Sequence, residues 1–68
     1  MRAPVSGRVI SVAVESGTAV KAQQSVLVLE SMKLEMPIPA GVNGSVTKIH
    51  IAAGDQVSTG QVLMEVER

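Results

Sequence analysis

The sequence predicts an all-β fold: two antiparallel sheets packed face to face as a flattened barrel, related by a pseudo-two-fold axis, with one lysine on a hairpin turn. Three observations carry this. The chain repeats itself at an offset of 37, so that Ala3, Val5, Gly7, Val9, Gly17, Val20, Gln24 and Glu30 return as Ala40, Val42, Gly44, Val46, Gly54, Val57, Gln61 and Glu67. Within each copy apolar residues alternate with period two, and no stretch holds them at helical spacing for two turns, so no helix is assigned. Finally, the residues on either side of Met32-Lys33 mirror each other: Glu30 against Glu35, Leu29 against Met36, Leu27 against Ile38. Two strands folded back on each other would give that pattern.

The first copy opens with Gly7, where a bulge or a close backbone approach would need no side chain. Val9 to Val14 then alternates as a strand, and Gly17-Thr18 punctuates the turn after it. Gln24 to Leu29 closes the copy with another strand. The second copy follows the same order, with Gly44, Val46 to Ile51, the turn at Gly54-Asp55, and Gln61 to Val66. About eight short strands are expected. The axis passes between the copies, placing the lysine at one end of the sandwich and the two termini together at the other.

The hairpin between the copies is set by its prolines. With Met32 and Lys33 as a two-residue loop, Leu29 with Met36 and Leu27 with Ile38 are hydrogen-bonded pairs, and Pro37 and Pro39 fall on the alternate positions. Their missing N–H groups then point away from the partner strand, and Leu27, Leu29, Leu34, Met36 and Ile38 share one face. The tip itself breaks two local rules. Favoured two-residue turns take Gly or Asn at positive φ, and Glu30 opposite Glu35 is a like-charge pair. Local rules broken where the flanks obey them mark a functional position.

Sixty-eight residues make one domain, 1–68, near the lower size limit for a chain that folds without a staple. It has no cysteine for a disulfide, and the single His50 has no second histidine or cysteine to help it hold zinc; no metal site is expected. With 46% apolar residues and no aromatic, the core must come from Val, Ile, Leu, Met and Ala, a composition that suits strands. Met36 and Met64 are expected as core filler and His50 on a solvated face. Six basic and six acidic residues balance without a basic cluster, which argues against nucleic acid as a partner. The apolar runs are far too short to span a membrane and no leader pattern opens the chain, so the expected compartment is the cytoplasm, or the mitochondrial matrix or a plastid in a eukaryote.

Lys33 is the one candidate for chemistry. Self-catalysed lysine reactions need a free amine, supplied by burial or a neighbouring cation. An exposed tip between Glu30 and Glu35 offers neither, so Lys33 is expected to be a substrate for another enzyme and no catalytic residue is assigned. Met32, an unbranched apolar residue beside it, is expected to be a contact surface; folding down over the barrel end is its alternative.

These residues resemble the attachment motif of biotin carboxyl carrier domains, usually Glu-Ala-Met-Lys-Met-Glu. Leu29-Glu30-Ser31-Met32-Lys33-Leu34-Glu35 matches it, with Ser31 and Leu34 as the departures. Ala3-Pro4-Val5-Ser6-Gly7 is similar to the family's Ala-Pro-Met-Pro-Gly opening, and Gly54-Asp55-Gln56-Val57 to its Gly-Asp-x-Val turn; Thr18-Ala19 departs from that turn in the first copy. The resemblance implies a capped barrel-sandwich, biotin attached covalently to Lys33, flanking recognition by Met32 and Leu34, and hairpin flanks at Glu30 and Glu35. The partners it implies are a biotin protein ligase that attaches the cofactor, a biotin carboxylase that loads CO2 on the ureido ring, and a carboxyltransferase that unloads it, served by a monomeric, non-catalytic swinging-arm domain. The sixteen residues from Ser11 to Val26 leave no room for the protruding thumb of some bacterial acetyl-CoA carboxylase carriers. The sister lipoyl domains, acyl carriers of 2-oxo acid dehydrogenase complexes, share the fold but usually place Asp before the lysine and Ala or Val after it. An unmodified barrel-sandwich interaction domain, as in membrane-fusion adaptors, has no reason to carry the Met-Lys pair.

Overall fold

The computed structural model describes residues 1–68 and contains strands and turns but no helix. In chain order the strands are β1 (Gly7–Val12), β2 (Ala19–Val20), β3 (Ser25–Ser31), β4 (Leu34–Pro39), β5 (Gly44–Ile49), β6 (Gln56–Val57) and β7 (Met64–Glu67). Seven strands form where about eight were expected, and an isolated bridge between Arg2 and Val62 stands in place of another. All pairings are antiparallel, in a sheet of order β4-β3-β1-β6 and a second of order β2-β5-β7.

The sequence repeat governs how these sheets are built. Gly7 pairs with Val57 and Arg8 with Gln56 in the first sheet; the same offset gives Gly44 with Val20 and Ser45 with Ala19 in the second. Each copy therefore lends its short second strand to the other's sheet. The loops obey the same relation. The Ala3 amide donates to the Gln61 carbonyl at 2.9 Å, and the Ala40 amide to the Gln24 carbonyl at 3.0 Å. Thr18 Oγ1 accepts from the Glu15 amide at 3.1 Å just as Asp55 Oδ2 accepts from the Ala52 amide at 2.9 Å, so the threonine replaces the carboxylate without changing the turn.

Some details differ from the alternation alone. Gly7 and Gly44 begin their strands instead of preceding them, and of the two expected roles the structure shows close approach: a Cβ at Gly7 would overlap the Glu30 carbonyl oxygen, and one at Gly44 the Glu67 carbonyl oxygen. The irregularities lie between Val9 and Ser11 and, at the matched place, between Val46 and Lys48. A third, between Ser25 and Leu27, lets the consecutive Val26 and Leu27 both face inward, at 0% and 1% exposure.

Fourteen apolar residues form the core and no polar side chain is buried with them. Twelve fall into six repeat pairs: Ala3 with Ala40, Val9 with Val46, Val14 with Ile51, Val20 with Val57, Val26 with Leu63 and Leu27 with Met64. The core is thus two half-cores stacked across the axis. Met64 belongs to it, while Met36 packs against it only partly buried. At the termini, the Met1 amino group donates to the Met64 carbonyl at 3.0 Å and the Leu63 amide to the Met1 carbonyl at 2.8 Å, tying the first residue to the last strand.

Candidate functional site

The β3–β4 hairpin has the register read from its prolines. Ser31 pairs with Leu34, Glu30 with Glu35, Leu29 with Met36, Val28 with Pro37 and Leu27 with Ile38. Only beyond Leu27 does it slip, because the irregularity there puts Ser25 opposite Pro39. Met32 and Lys33 form the two-residue loop with φ of 52° and 66°, the left-handed pair that a type I′ turn demands. Side chains other than Gly and Asn hold that conformation at roughly 1–2 kcal/mol each. The hairpin holds it because Leu27, Leu29 and Ile38 anchor both strands in the core.

The tip is open to solvent at Met32, Lys33, Leu34 and Glu35, while Glu30 is half-buried. Met32 is 92% exposed, so it does not fold down over the barrel end, and Lys33 and Glu35 are exposed beside it. Leu34 shares the face of Met36 and Ile38 but lies past the end of the core, and it is 65% exposed. Two apolar side chains thus flank an amine that takes part in neither ion pair of the molecule. An unencumbered amine at an apex suits acylation by an enzyme that must reach it from outside.

Glu30 has a neighbour that sequence reasoning did not identify. The β1–β3 register sets Arg8 against it, and Arg8 Nη2 lies 3.9 Å from Glu30 Oε1, with the Arg8 side chain exposed and that of Glu30 half-buried. Adding the other registers, Gln56, Arg8, Glu30 and Glu35 form one row across β6, β1, β3 and β4. Beside this row runs an open groove of about 850 Å³, reaching Ser31 and Met32 at the tip and bordered by Arg8 and Gln56 on β1 and β6 and by Ser6 and Ser58 just outside those strands. One sign was present in the sequence: Arg8 departs from the repeat, whose second copy has Ser45.

At the far side of the molecule His50 is exposed, its Nε2 2.9 Å from Glu65 Oε2. It has no link to the tip.

Comparison with known proteins bears on this hairpin. A family described as "Biotin-requiring enzyme" matches residues 1–66. The chain is 40% identical over 67 residues to the mitochondrial propionyl-CoA carboxylase alpha chain of Homo sapiens, covering 98% of this chain and 9% of that protein. It is 38% identical over 66 residues to the biotin carboxyl carrier protein of Streptococcus mutans, covering 97% of this chain and 51% of that one. The chain thus spans about half of one relative and under a tenth of the other. Among solved structures, the lipoyl domain of the 2-oxoglutarate dehydrogenase complex from Azotobacter vinelandii superposes with a TM-score of 0.78 at 26% identity, over 94% of this chain and 81% of that domain.

Proposed function

The chain belongs to the family of biotin-requiring enzymes, and from that membership we propose that it is the carrier domain of a biotin-dependent carboxylase, with biotin attached at Lys33. The single observation that carries the site is the hairpin apex, where the amine of Lys33 stands exposed between exposed Met32 and Leu34. The lipoyl reading shares this fold, so the fold does not separate the two. What favours biotin is the set of carboxylase and carrier relatives, together with Met32 and Leu34 in place of the Asp and small residue usual in lipoyl motifs.

When attached, biotin supplies a ureido nitrogen that takes up a carboxyl group and gives it up again. The domain's own residues hold and present it. Lys33 Nζ would hold the cofactor through an amide: a biotin protein ligase would supply the biotin carboxyl group activated by ATP as a mixed anhydride and a base for the ammonium proton, and the C–N bond would form as the anhydride C–O bond breaks and the nucleotide phosphate leaves. The charge at the apex is lost in that step, leaving Glu30 and Glu35 to keep the tip hydrated. Met32 and Leu34 give the ligase, the biotin carboxylase and the carboxyltransferase an apolar surface to read, since a side chain this exposed contributes little to folding. No group here is placed to catalyse either half-reaction, and the domain serves as a monomeric carrier.

The test is incubation with a biotin protein ligase, ATP and biotin, read by intact mass. One biotin should add, and Lys33→Arg should abolish the addition with an unchanged melting temperature. Label found at Lys21 or Lys48 would overturn the site.

A further inference from the structure

The groove beside the tip is where the two copies stop matching. Ser6 and its counterpart Asn43 do equivalent work, Ser6 Oγ accepting from the Thr59 amide at 3.0 Å and Asn43 Oδ1 from the Ala22 amide at 2.7 Å. Arg8, Gln56 and Ser58, however, stand where the other copy has Ser45, Ala19 and Lys21. The backbone pairing of Arg8 with Gln56 is reproduced by Ser45 with Ala19, so folding requires neither long polar side chain. Nor are they used up in contacts among themselves. The one ion pair of Arg8 spans 3.9 Å at the surface, longer than a charge-assisted hydrogen bond, and leaves the guanidinium donors free.

We propose that this groove is the resting seat of the ureido ring of biotin carried on Lys33, an inference that rests on the carrier reading above. The groove begins at Ser31 and Met32, next to the attachment residue. A ureido group presents one carbonyl acceptor between two N–H donors. Arg8, the Gln56 amide and the Ser58 hydroxyl can donate to the carbonyl, and Glu30 and the Gln56 side-chain oxygen can accept from the two N–H groups. Met32 adds an apolar wall for the hydrocarbon part of the cofactor. Because the seat is open and its charges are hydrated, the ring is held loosely and leaves when a partner's active site offers more contacts.

The test compares amide ¹H–¹⁵N spectra of four proteins: the biotinylated wild type, the Lys33→Gln variant, which loses the same charge without gaining the ring, a biotinylated Arg8→Ala/Gln56→Ala variant, and that double variant carrying Lys33→Gln as its own reference. Relative to Lys33→Gln in the same background, biotinylation should shift the amides of Gly7, residue 8, residue 56 and Ser58 in the wild type, and these differences should vanish in the double variant. Shifts confined to Ser31–Glu35, or retained in the double variant, overturn the seat while leaving the carrier reading intact. A wild-type protein whose mass shows no biotin uptake overturns both.

Discussion

Met32 is where the proposed function can be separated most cleanly from stability. Its side chain is 92% exposed at the apex, so truncation or exchange there leaves the core untouched. Met32→Leu is therefore expected to change stability by less than about 0.5 kcal/mol, as surface substitutions do. Carboxyl transfer by the partner enzymes should nevertheless slow several-fold. Thermal melts paired with transfer rates of the biotinylated forms check this; a wild-type rate with several degrees lost would make the methionine a packing residue. Glu30 behaves differently from what its like-charge partner suggests. Opposition to Glu35 alone predicts that Glu30→Gln stabilises the hairpin, but Arg8 faces it from the other side. Each contribution is a few tenths to about 1 kcal/mol and they oppose each other, so a denaturant melt should show a net change below about 0.5 kcal/mol.

At the level of strands, Gly7 and Gly44 hold the tightest places. A methyl group at either would strike a backbone carbonyl of the neighbouring strand, which cannot turn aside as a side chain can. Gly7→Ala and Gly44→Ala should each cost about 1–3 kcal/mol, seen as a fall in melting temperature of roughly 4–8 °C per kcal/mol in a domain of this size. A loss at only one of them would mean that the two copies bear strain unequally. The hairpin register was legible because Pro37 and Pro39 forbid its neighbours and Leu27, Leu29, Met36 and Ile38 mirror one another. The strand starts were displaced by two residues because nothing in Gly7 or Gly44 says whether a glycine precedes a strand or lies within it. The irregularities around Ile10, Thr47 and Val26 were not legible, since an extra residue in a strand leaves no mark in its side chains. Those irregularities set which residue of β1 faces Glu30. Arg8 left only its departure from the repeat as a sign, and its place opposite Glu30 was hidden for the same reason.

For the molecule as a whole, the paired core makes each half depend on the other. A domain of this length has a stability of roughly 3–10 kcal/mol. Leu63 is completely buried and occupies in the second copy the place of Val26 in the first; Leu63→Ala should cost about 2–5 kcal/mol. Because β2 and β6 are exchanged between the sheets, that loss should loosen the tip as well as the termini. Hydrogen exchange at amides of β3, the repeat counterpart of the segment that carries Leu63 and β7, should accelerate together with exchange in β7; acceleration in the second sheet alone would show that the halves unfold separately. The placement of Pro37 and Pro39 carries a consequence for how such a domain behaves when crowded. β4 is the outermost strand of its sheet, and of its residues that turn their backbone outward, Glu35, Pro37 and Pro39, only Glu35 retains an N–H. A second chain laid along that edge would find two of the three outward donors missing. Neighbouring copies packed at high density therefore gain little by extending the sheet from this side, and the lysine-bearing hairpin is guarded against pairing edge to edge with its own kind.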